Sequence, residues 1–192
     1  MSTPEIYVAT LVDYTHGHLN AAWLEIHPDE PLDAQADQLR SRSRFSNPEE
    51  LIILDTENFQ GIDIPEFMSL DDVSRIGLRL REHGAPYAAF VRHGIASGND
   101  PYAYFPAQFL GEYDDREAWA EDVTEGLLPL LGATVAAWGL GKRLPRSVGD
   151  RTNLRDIRHA LHIDGDGLSL IAETNWGYTF AEHNGKVFVF SN

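Results

Sequence analysis

The chain has 192 residues, of which 43% are hydrophobic, enough to bury a core in one ordinary domain or in two or three small ones. Thirty acids face fifteen bases, a formal net charge of −15, so the surface repels nucleic acid and attracts proteins with basic clefts. Cysteine is absent, which excludes disulfides, thiolate metal ligands and thiol nucleophiles, and no apolar run reaches the length of about 18 residues that spans a membrane.

The first residues, Met1 to Glu5, carry neither the basic start nor the apolar stretch of a signal peptide, so a cytoplasmic protein is expected. Ile6 to Tyr14 reads as a strand, His16-Gly17-His18 as a turn, and Ala21 to Ile26 as the returning strand of a hairpin. Leu32 to Phe45 has helical character without internal Pro or Gly. Leu51 to Leu54 is a short apolar run read as a third strand, and this sheet with one helix ends near Gly61.

Ser69 then precedes Leu70-Asp71-Asp72, an S-x-x-D arrangement that puts carboxylates at a helix N-terminus. Val73, Ile76 and Leu80 follow at helical spacing, and Gly84 before Pro86 supplies a stop. Residues 86–110 give no assignment. A second helix is predicted from Asp114 or Asp115 to Glu125, closed by Gly126, and a third from Asn153 to Ile163. Leu168 to Ala172, Gly177 to Ala181 and Val187 to Phe190 read as strands, the last two joined by the Asn184-Gly185 hairpin signal.

The charge is distributed in blocks. Residues 1–39 hold seven acids and no Lys or Arg, and 45–74 hold eight acids and none. Residues 100–125 hold eight acids and Arg116, whereas 126–160 hold six bases against Asp150 and Asp156. The predicted helix after Gly111 is the most informative piece. Trp119 and Val123 stand four apart and can face a core, while Glu117, Glu121 and Glu125 form a row on another face and Asp115 and Asp122 a parallel one. Like charges at this spacing cost an isolated helix roughly 0.2–0.5 kcal/mol per pair. The row is either a solvated helix face or part of a carboxylate ridge. Duplex DNA carries a charge about every 1.7 Å of axis, which one helix cannot match but several elements together can approximate.

Several segments resemble the ArdA-type antirestriction proteins of plasmids and conjugative transposons. Ile6-Tyr7-Val8-Ala9-Thr10 through Ala22-Trp23-Leu24 is similar to that family's opening. Leu54-Asp55-Thr56-Glu57-Asn58-Phe59 is similar to its acidic element after the third strand. Phe109-Leu110-Gly111-Glu112-Tyr113-Asp114 with Trp119-Ala120-Glu121 resembles its G-E-Y-D segment and following helix, and Gly177-Tyr178-Thr179-Phe180 its closing hairpin. The resemblance implies an elongated α+β protein of three small modules with short antiparallel sheets, usually a homodimer. Such proteins imitate bent B-form DNA in the groove of type I restriction-modification enzymes, need no cofactor and catalyse nothing. On this basis the modules are placed at 1–64 (sheet plus helix), 65–108 (mainly helical) and 109–192 (α+β). By position, Glu49, Glu50, Asp55, Glu57, Asp71, Asp72, Glu112, Asp114, Asp115, Glu117, Glu121, Asp122 and Glu125 match the family's acidic segments as phosphate substitutes. The basic tract from Lys142 to Arg158 departs from the family, whose C-terminal part is acidic.

Two other classes compete. One is an acidic adaptor for some other basic DNA-binding protein. The other is a metal-dependent enzyme, for which His16-x-His18 and Asp164-Gly165-Asp166-Gly167 are the only hints, the latter lacking the ladder and distal Glu of a calcium loop. His83 and His93 are read as surface or helix-end residues. No hydrolase elbow, zinc-protease or phosphate-loop motif is present. Direct DNA binding through the 142–158 tract is opposed by the field of the whole chain.

Overall fold

The computed structural model describes residues 2–46, 48–94, 105–137 and 165–191, with the backbone alone for 127–137. It is an α+β structure with two compact units, Met1–Gln108 and Phe109–Asn192.

The first unit is built on an antiparallel sheet of order β2-β1-β3, with β1 Glu5–Thr10, β2 Ala21–Glu25 and β3 Leu51–Glu57. Alternation sends Ile6, Val8 and Leu24 inward, where they are buried, and Glu5, Tyr7 and Trp23 to the other face. Full burial of each aliphatic side chain contributes about 1.5–3 kcal/mol. Helix α2 (Leu32–Arg40) buries Leu32, Ala36 and Leu39 at helical spacing. Its Gln35 carboxamide accepts from the Glu25 amide at 3.1 Å and donates to the Glu25 carbonyl at 2.8 Å. That pair of bonds closes the free edge of β2 against further strand pairing.

Helix α3 (Leu70–His83) is capped as its sequence demands: the Ser69 hydroxyl accepts from the Asp72 amide at 3.1 Å. It buries Val73, Ile76, Gly77 and Leu80. Gly77 sits on Ile26, where an added Cβ would stand 2.3 Å from the Ile26 Cδ1. One turn on, Arg81 donates to the Ile26 carbonyl at 2.6 Å. Helices α4 (Ala85–Arg92) and α5 (Phe105–Gln108) complete the unit, and Phe105 packs edge-on against Tyr87 and Phe90 at 5.4 Å each.

The second unit has an antiparallel sheet of order β4-β6-β5, with β4 Phe109–Tyr113, β5 Tyr178–His183 and β6 Lys186–Ser191. Asn184 and Gly185 both have positive φ, 51° and 75°, as the two-residue hairpin turn requires. Helix α6 (Arg116–Ala137) packs on the sheet through Trp119, which meets Phe180 edge-on at 4.7 Å within a core that includes Ala120, Ala172, Val187 and Val189. Helix α7 (Gly165–Ile171) runs into a π-helical turn, Ala172–Trp176. Gly165 touches the backbone of α6, where a Cβ would lie 2.6 Å from the Glu117 Cα.

Several sequence expectations are corrected. The first strand stops at Thr10, and Leu11–Thr15 forms the short helix α1. Asp13 causes this: its buried carboxylate accepts from the Thr10 hydroxyl at 2.6 Å and the Asn20 side-chain Nδ2 at 3.3 Å, which pulls the chain into a turn. Helix α2 ends at Arg40 rather than Phe45, because the Ser41 hydroxyl donates back to the Gln38 carbonyl and the Arg44 amide turns to Asp13. The third strand extends to Glu57. Gly84 ends α3, yet it also starts α4, with Pro86 in the first turn where its missing N–H is harmless. Gly126 does not close α6, which continues to Ala137. Leu168 to Ala172 is helix and π-turn rather than strand, because Gly165 and Glu117 fix the segment on α6. The expected helix Asn153 to Ile163 and the 142–158 tract lie outside the described residues.

Two stability outcomes follow. Trp119→Ala is expected to cost about 3–5 kcal/mol, and Gly77→Ala about 1–3 kcal/mol through overpacking, both read from urea unfolding curves. Hydrogen bonds from Ser43, Thr10 and Asn20 hold the Asp13 carboxyl at about 2, below its ordinary 3.8, against the opposing effect of burial. A carboxyl held low stabilises the fold above its unfolded value and loses that contribution as pH falls through its folded one. The melting temperature of the parent is therefore expected to exceed that of Asp13→Asn near neutral pH, with the gap closing between about pH 4 and pH 2. A constant gap across that window would refute the role given to Asp13.

Candidate functional site: the acidic surfaces

The Gly111-Glu112-Tyr113-Asp114-Asp115 segment has a physical reason at every position. Gly111 leaves room for the Tyr113 ring, which would press on a Cβ at 2.9 Å. The ring lies back along β4, and its hydroxyl donates to Asp122 Oδ2 on α6 at 3.0 Å. Burial, with the Asp122 carboxylate beside it, pushes the Tyr113 phenol above its ordinary value. Asp115 caps α6, its Oδ1 accepting from the Ala118 amide at 2.8 Å. Lys186 on β6 donates to Asp114 Oδ1 at 2.6 Å and stands 3.7 Å from Glu112 Oε1. The Lys186 bond and charge hold the Asp114 carboxyl below its ordinary value, and Asp114 in turn raises the ammonium.

Asp114, Asp115 and Lys186 help rim an open depression of about 630 Å³ in the second unit. Its carboxylates are Asp114, Asp115, Glu117, Asp166 and Glu182, against the bases Arg116 and Lys186, with His183 buried in the wall. Arg116 is engaged by its own unit. It donates to Ser169 Oγ at 2.9 Å, pairs with Glu173 at 3.3 Å and lies 4.9 Å over the Phe180 ring. Glu117 Oε2 accepts from the Gly165 amide at 2.6 Å, which fixes one oxygen of that carboxylate. Glu121, Asp122 and Glu125 are exposed on α6 outside the depression.

The first unit brings four of the other six expected acids to two places. Glu49 and Asp71 line a shallower depression of about 330 Å³, with Asp33 and Arg40. Arg40 there pairs with Asp37 at 2.8 Å. Asp55 and Glu57 lie on β3, directly opposite Tyr7 and Glu5 of β1, and Glu5 in turn opposes Glu25 of β2. Glu50 precedes β3 and its carbonyl accepts from the Leu11 amide at 2.8 Å. Asp72 is half-buried at the start of α3 and is neutralised by Arg75 at 2.7 Å. The other twelve expected acids are exposed.

Sequence reading missed Glu5, Glu25, Asp166 and Glu182. The first two need strand register, and the last two sit beside turns that gave no acidic row. Lys186 was missed as a counter-charge for the same reason. Among the described residues, no group of three or more His, Asp or Glu is arranged to hold a metal ion, and His16 and His18 instead lie against the Phe45 ring at 4.6 and 6.1 Å. No helix among them is long and apolar enough to cross a membrane.

A search of curated proteins returned no match. A family model described as Antirestriction protein (ArdA) matches residues 6–167, from β1 to the first turn of α7, and stops short of the closing hairpin. That span is most of the chain, and the chain belongs to the ArdA family of antirestriction proteins.

Proposed function

We propose that this protein inhibits type I restriction-modification enzymes by occupying their DNA groove with carboxylates in place of phosphates. The observation that carries this reading is the acidic depression of the second unit, three of whose carboxylates are oriented by bonds within the unit itself. Asp115 is tied to the helix end, Glu117 to the Gly165 amide and Asp114 to Lys186. A groove lined by Arg and Lys then meets anions that need little further ordering, which removes part of the entropic cost of association. Exposed carboxylates on α6 extend the field beyond the rim and steer encounter.

The chemistry asked of the protein is binding alone. Its charges are spread over many side chains, so no single carboxylate dominates. This separates the decoy from a hot-spot interface, in which a few buried anchors carry the affinity. It also separates the decoy from an adaptor for other basic proteins, because competition with DNA for one groove is required.

In cells that carry a type I system, expression of the protein is expected to restore transformation by unmodified plasmid. Unchanged restriction would sink the proposal. With purified components, inhibition is expected to be competitive with duplex DNA and to weaken steeply with salt. Each exposed pair contributes about 0.2–1 kcal/mol. Changing Glu117, Glu121 and Glu125 to Gln together is therefore expected to weaken binding roughly threefold to a hundredfold, and each single change by less than about sixfold.

A further inference from the structure

The outer face of the first unit's sheet is the strongest remaining feature. Its residues were placed there by register. Glu25 of β2, Glu5 of β1 and Glu57 of β3 form one row across the three strands. The next row is Trp23, Tyr7 and Asp55. Both Glu25 backbone groups bond to Gln35, so Glu5–Glu25 and Tyr7–Trp23 are non-hydrogen-bonded pairs, the kind that brings side chains closest. The two rings stand 5.2 Å apart and tilted by 38°, and Trp23 is 40% exposed. Like charges directly opposite one another destabilise a sheet, whereas the Tyr7–Trp23 pair stabilises it and leaves part of the indole in water beside the acids. Folding alone accounts for the aromatic pair but not for the row of three glutamates beside it.

Among the described residues, the cations that meet this face lie at the β2 edge. His27 Nε2 lies 2.9 Å from Glu25 Oε2, and Arg81 approaches the other ring nitrogen at 3.2 Å. Arg81 therefore orients His27, and His27 orients Glu25, at the β2 edge. Asp55 takes the Thr56 amide at 2.8 Å, which sets its direction.

We propose that this face docks guanidinium groups of the same restriction enzyme, with an arginine stacked on Trp23 and Tyr7 while Glu5, Asp55 and Glu57 accept its N–H groups. The inference rests on the decoy reading and adds a contact that charge alone does not supply. Arginine is the occupant that fits both halves of the face, because its plane stacks on aromatic rings and its edge donates to carboxylates. A backbone phosphate offers no ring, so this contact would hold the decoy where salt loosens the purely ionic ones.

The test uses the full chain and a purified type I enzyme. Trp23→Thr keeps a strand-forming residue and removes the ring. It is expected to weaken binding about threefold to thirtyfold, with the relative loss larger at high salt. Carbodiimide labelling of the unaltered protein, read by mass spectrometry, is expected to show Asp55 and Glu57 protected when the enzyme is bound. This second measurement stands if the variant fails to fold. Full binding by a folded Trp23→Thr, or unprotected Asp55 and Glu57 in a complex that forms, would overturn the inference and leave the decoy reading intact. Protection that appears without enzyme as the protein is concentrated would assign the face to a second copy and overturn it too. If the unaltered protein does not bind the enzyme at all, the decoy reading falls, and this inference with it.

Discussion

Carboxylates crowded on one surface repel each other, and the acidic depression of the second unit is bordered by bonds that resist the push. In the second unit the resisting bonds come from the backbone as much as from cations. Glu117 is drawn to the Gly165 amide at 2.6 Å, and Asp115 to the first turn of α6. A backbone amide satisfies a carboxylate without cancelling its charge. Lys186 does cancel charge, yet one ammonium serves both Glu112 and Asp114 and leaves the pair net negative. The surface thus keeps its sign while several of its carboxylates have a set direction. Salt bridges at every acid would have produced a rigid surface too, but a neutral one.

The same constraint explains which acids are spent on folding. Asp13 is fully buried among hydroxyl and amide donors and faces no partner. It organises the turn between β1 and β2 and is lost to any electrostatic imitation. Asp72 is similar in effect, since Arg75 neutralises it at the start of α3. Counting acids along the chain treats Asp13, Asp72 and Glu125 alike. Only the burial and partners of each decide whether its charge reaches solvent.

Legibility followed the range of the determining contact. Helix α3 was readable because Ser69, the buried positions Val73, Ile76 and Leu80, and Gly84 all act within a few residues. The Asn184-Gly185 hairpin was readable for the same reason, as its turn needs positive φ at both positions. Leu168 to Ala172 was misread because a five-residue apolar run fits strand or helix equally, and the deciding contacts, Gly165 on Glu117 and Ser169 on Arg116, come from about fifty residues away. The strand ending at Thr10 failed likewise, since Asp13 looks like any solvent-facing acid until Asn20 and Arg44 close over it. Of the candidate site, the helix face with Glu121 and Glu125 was visible in spacing alone. The grouping of Asp114 with Asp166 and Glu182 was not, because it depends on how α6, α7 and the hairpin pack.

The G-E-Y-D-D segment joins exposed acids and folding contacts in one stretch. Gly111 admits the Tyr113 ring, Tyr113 reaches Asp122, and Asp115 starts the helix that carries Trp119 into the core. Replacing any of these disturbs packing and charge placement together. A decoy whose charges sat only on loops would present the same net charge, yet each contact would bear the cost of ordering a loop. Here the acids of the second unit stand on or beside β4, α6 and the hairpin, elements that the fold already orders.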